Sequence, residues 1–130
     1  MNLRNPKEYC ENLLMIRTKK QELVPLRFNE AQSNLYAVIW QQAALGKPIR
    51  IIVLKGRQEG ISTVTEARMF QDAATRPNIK TLIVAHNSDA TRALFKMNKL
   101  FYDCLPRRMQ PMRKNSNAKE LAFENPTRDQ

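Results

Sequence analysis

"IIVLKGRQEGISTVTEARMF", residues 51–70, passes from an apolar run through two glycines into apolar positions at helical spacing. A continuous apolar run bounded by turn formers is the pattern of a strand buried on both faces, and "KTLIVA", residues 80–85, repeats it. Between the two runs Val64, Ala67, Phe70 and Ala74 recur on one helical face. Strand, helix and strand within about 35 residues read as a βαβ unit. The expected class is therefore α/β, with a parallel sheet flanked by helices.

Upstream, Asn5 before Pro6 is a helix start, and Tyr9, Leu13 and Ile16 follow at helical spacing until the basic run near residues 17–20. "ELVPLRF" reads as an extended connector. Asn29 is placed to cap a second helix whose inward face is Ala31, Leu35, Val38, Ile39 and Ala43, stopped by Gly46 and Pro48. Downstream, Asn87 or Ser88 opens another helix with Ala90, Leu94, Met97 and Phe101 inward, ended by Pro106. "MQPMRKNSNAK" reads as a loop and "ELAFE" as the start of a strand.

The 130 residues carry a net charge of +10, which favours a polyanionic partner such as nucleic acid, an acidic membrane surface or nucleotide phosphates. From Arg92 to Lys119 eight basic residues face one acid, Asp103, so most of the excess lies there. Two distant cysteines, Cys10 and Cys104, and one histidine, His86, argue against a zinc or thiolate site. No stretch approaches the roughly 18 apolar residues of a membrane span, so a cytoplasmic protein without membrane attachment is expected.

A phosphate-binding loop of the G-x-x-x-x-G-K-[ST] kind surrounds phosphate oxygens with backbone N–H groups while its lysine neutralises them and its hydroxyl holds magnesium. With Gly60 as the second glycine, Ser62 takes the hydroxyl position, Ile61 stands where lysine is expected, and Lys55 stands where the first glycine is expected. The stem of Lys55 is long enough to reach back over the loop, and Arg57 supplies a second cation. The alternative is a solvated turn with Ser62 or Thr63 as an ordinary helix cap.

"LKGRQEGIST" resembles the variant phosphate loop of the large subunit of viral DNA-packaging terminases, in which a lysine opens the loop and an arginine follows two positions later. "VPLRFNEAQSNLY" is similar to the upstream glutamine motif of that family, and "TLIVAHNSDATRALFKM" to its next strand and helix; the likeness covers roughly residues 20–125. It implies a P-loop NTPase-type parallel sheet behind a short helical arm, with residues 1–27 as arm and connector and 28–130 as a partial ATPase domain. It also implies ATP and magnesium as cofactors. The nucleotide would lie on Gln32, Lys55, Gly56, Arg57, Gln58, Glu59, Gly60, Ile61, Ser62 and Thr63.

Within that set Gln32 would recognise the adenine edge, Lys55 would take the phosphate-lysine role, Arg57 would act on the γ-phosphate and Ser62 would hold magnesium. Phe28 would pack either on the adenine ring or in the core. The partners implied are double-stranded DNA, a terminase small subunit, a portal protein and further copies of the chain in a ring. DNA-contact candidates are Arg92, Lys96, Lys99, Arg107, Arg108, Arg113 and Lys114. The apolar runs end in Lys55, in Ala85 and His86, and in Glu124 and Asn125, so the acidic second strand that ATP hydrolysis requires is not found. Nucleotide binding without efficient turnover is the expectation for this chain. The alternatives are a basic nucleic-acid-binding module and a helicase-like ATPase fragment.

Overall fold

The computed structural model describes residues 5–54, 60–76, 78–85, 87–116 and 121–123, the last two strands by backbone alone. Among these residues the regular structure is four helices, two antiparallel strand pairs and a 3-10 turn: α1 (Pro6–Leu13), β1 (Met15–Arg17), β2 (Leu23–Pro25), α2 (Glu30–Ala44), α3 (Ile61–Thr75), α4 (Ser88–Cys104), the 3-10 turn (Arg107–Met109), β3 (Arg113–Ser116) and β4 (Leu121–Phe123).

Each helix begins where local chemistry sets it. The Asn5 side chain accepts from the Lys7 and Glu8 N–H groups, the Asn29 side chain from Gln32 N–H, and the Asn87 side chain from Ala90 N–H. Each asparagine thus satisfies first-turn donors that have no partner inside the helix. α1 is shorter than its periodicity suggests. Leu14 leaves helical geometry, and Ile16 lies in β1, which pairs antiparallel with β2 in the register Ile16 to Val24. The connector 22–28 therefore contributes a strand, and the stretch expected as a loop after Pro111 contains β3, paired antiparallel with β4.

The core lies between helices. Tyr9, Cys10 and Leu13 of α1, Ala67, Phe70 and Ala74 of α3, and Phe101 of α4 with Leu105 beyond it form one buried cluster, closed by Leu14 and Leu26. Phe70 and Phe101 meet edge to face with ring centroids 5.7 Å apart, a geometry that adds to the stabilisation from burial alone. All four inward positions expected for α3 are buried, whereas in α4 only Phe101 is fully so.

The expected parallel sheet is not formed, and the class is corrected accordingly. The described part is mainly helical, and its only sheets are the antiparallel pairs β1–β2 and β3–β4. Residues 51–54 and 79–85 have no strand assignment, and alternate side chains face solvent: Ile52 and Leu54 are fully exposed, Leu82 81% and Val84 83%, while Ile51, Ile83 and Ala85 are half-buried. An apolar run becomes an inner strand only when a ladder takes its backbone groups and layers cover both faces. Here the backbone N–H and C=O of Arg50 are instead taken by the Gln42 side chain at 2.7 and 3.1 Å, which ties the entry of the run to α2. The helices α1, α3 and α4 bury their apolar faces in one cluster, and one face of each run is left uncovered among the described residues.

α2 also departs from expectation. Of its supposed inward face, Val38 and Ala43 are exposed and Ala31, Leu35 and Ile39 only half-buried; its one buried residue is Gln32. Phe28, Tyr36 and Trp40 form an aromatic row along it, with centroids 5.9 and 6.5 Å apart.

Candidate functional site

The junction between α2 and α3 is where the candidate residues meet. α3 starts at Gly60, whose φ of +78° lies in the left-handed region that favours glycine. The Gly60 carbonyl accepts the first helical bond of α3, from Val64 N–H at 3.1 Å, and a second bond from the Gln32 side chain, whose Nε2 donates at 2.9 Å. Gln32 Oε1 accepts from Asn29 N–H, also at 2.9 Å, while Gln32 N–H donates to Asn29 Oδ1. This reciprocal capping box orients the amide, since one neighbour is a donor and the other an acceptor.

A side chain at Gly60 would push the Gln32 amide aside. A Cβ there would stand 2.5 Å from Gln32 Nε2 and 3.2 Å from its Cδ. Gln32 is 4% exposed, so it is a buried linker between two elements 28 residues apart and not a solvated helix residue. Each polar atom of its amide has one protein partner in this arrangement.

Of the loop residues, Lys55, Gly56, Arg57, Gln58 and Glu59 lie outside the described residues, as does His86. Gly60, Ile61, Ser62 and Thr63 are described. Ile61 is buried beneath the helix start, Ser62 is exposed and Thr63 half-buried. Gly60 brings no capping side chain, and the first turn of α3 carries no acidic residue. A helix start of this kind, with the Ser62 hydroxyl beside it, fits phosphate oxygens and a magnesium-ligand role. Phe28 packs against the core cluster and edge-on to Tyr36, which matches the packing role.

One turn along α3 from Ser62 is a group that sequence reading passed over. Glu66 is 3% exposed, neither carboxylate oxygen has a hydrogen-bond partner among the described residues, and burial pushes its pKa up to about 8. Its spacing held a clue: residues 66, 70 and 74 are successive four-residue steps, placing Glu66 in line with buried Phe70 and Ala74.

Among the basic candidates, Arg92 and Lys96 of α4 and Arg107 and Arg108 of the 3-10 turn are exposed. None of these four is ion-paired among the described residues. Lys99 is half-buried, with its ammonium 5.5 Å from the Phe95 ring centroid. Residues 92, 96 and 99 share one stripe of α4, spanning about 10 Å along its axis. The side chains of Arg113 and Lys114 are outside the described part. A separate groove of about 500 Å³ lies between α1 and the start of α2, lined by Lys7, Glu11, Arg27 and Tyr36 among others. Its cations are engaged: Lys7 pairs with Glu11 at 3.8 Å, and Arg27 donates to the Glu11 carbonyl.

Comparison with protein-family models, curated proteins and solved structures finds no match. Among the described residues no helix is long and apolar enough to cross a membrane.

Proposed function

We propose that the chain binds ATP with magnesium through residues 55–63, as the nucleotide-binding part of a DNA-packaging motor of the terminase large-subunit kind acting in the cytoplasm. What supports the reading is the buried hydrogen bond from Gln32 to Gly60, which joins the glutamine-motif segment to the end of the loop segment. Phosphates would meet the N–H groups at the start of α3, Ser62 would hold magnesium, and Lys55 with Arg57 would supply positive charge. Held at Ser62, the metal would supply positive charge against the phosphates. Turnover by this chain alone is expected to be slow.

A second reading, a nucleic-acid-binding module without nucleotide chemistry, draws on the exposed cations Arg92, Lys96, Arg107 and Arg108, which suit a phosphate backbone. One titration separates the two. A fluorescent ATP analogue with magnesium is expected to bind the native chain and to lose that binding in Lys55→Ala. A folded chain that ignores the analogue yet binds duplex DNA, with affinity falling steeply as salt rises, would replace the first reading by the second.

A further inference from the structure

We propose that Gln32 is a positioning residue, one that joins α2 to the first turn of α3 and so sets affinity for nucleotide without reading the base. The inference rests on the nucleotide-binding reading. It comes from the way the amide is used: Oε1 closes the α2 capping box on Asn29 N–H, and Nε2 reaches across to the carbonyl from which α3 starts. Each end of the amide already holds a protein partner, and burial keeps its second N–H and second lone pair from an adenine edge. Its leverage falls on the N–H groups of residues 61–63, because the Gly60 carbonyl that it holds is also the acceptor of the first α3 bond.

Gln32→Glu separates the two ends of the bridge. Glutamate at this place in a capping box still accepts from Asn29 N–H, but it has no N–H to give Gly60 and brings a carboxylate against its carbonyl. Asn29→Ala is the control, because it weakens the α2 cap and leaves the Gln32 to Gly60 bond in place. ATP and GTP analogues would be titrated against the native chain and both variants, with amide exchange followed at Val64.

The expected result is that Gln32→Glu weakens both analogues in the same proportion, by about tenfold, the equivalent of one lost hydrogen bond. It should also speed Val64 exchange, while Asn29→Ala lowers stability and leaves analogue affinity near native. Loss confined to the ATP analogue would overturn the proposal, since that is the signature of base reading. Equal loss in Asn29→Ala would also overturn it, reducing Gln32 to a helix cap. Unaltered Val64 exchange in Gln32→Glu overturns the positioning role whether or not nucleotide binds. A native chain that binds neither analogue sinks the nucleotide reading alone, because the exchange data still decide the role of the bond.

Discussion

The α1–α3–α4 core and the two apolar runs at residues 51–54 and 79–85 are built from similar side chains and end in opposite environments. Phe70, Phe101 and Leu105 are at most 4% exposed, whereas Ile52, Leu54, Leu82 and Val84 are more than 80% exposed. The difference lies in the backbone. A helix satisfies most of its own N–H and C=O groups and needs only a neighbour for one face, while an extended run needs a ladder for its backbone before a covering layer can bury it. Apolar content decides what a segment could gain from burial; hydrogen bonding decides whether it can be buried at all.

The sharpest way to break the contrast is to truncate on each side of it. Phe101→Ala removes a fully buried ring stacked edge-on to Phe70 and is expected to cost about 3–5 kcal/mol in chemical denaturation. A cost below about 1 kcal/mol would mean that the helices do not form the core.

Next in size is Glu66. Its pKa stands at about 8 in the folded chain, above the ordinary carboxyl value of 4.5, so the fold favours the neutral form. That contribution to stability, on the order of a few kcal/mol, is complete below about pH 4.5, declines as pH rises, and is gone above about pH 8. Glu66→Gln should flatten the stability profile between pH 5 and 8 and raise stability at the alkaline end. An unchanged profile would place the carboxyl in water.

At the small end, Leu82→Ser and Val84→Ser should each change stability by less than about 0.5 kcal/mol, as expected of surface positions. Together they should lower any tendency to associate, because exposed apolar side chains are what such association buries. A loss of 2 kcal/mol or more from either would show that the second run is covered after all.

These effects also mark how far the sequence could be read. The helix starts at Asn5, Asn29 and Asn87 were legible because a cap is made within three residues of itself. The buried face of α3 was legible because its helical periodicity is unbroken. The runs at 51–54 and 80–85 misled because short apolar segments look alike whether or not a ladder receives them. α2 misled for the converse reason, since its apolar residues suggested an inward face while the residue that packs inward is polar. That Gln32 should be buried could not be inferred locally, since its partner Gly60 lies 28 residues on and depends on how α2 meets α3. Glu66 stood in a readable row with Phe70 and Ala74, but a carboxyl in an apolar row is normally discounted.

The most direct test of this account is native-state amide hydrogen exchange followed residue by residue. Slow exchange is expected through the middles of α1, α3 and α4 and rapid exchange at residues 51–54 and 80–85, where no described ladder holds the backbone. Slow exchange at both apolar runs would contradict it, and would mean that those segments are paired strands and that the helices pack on a sheet.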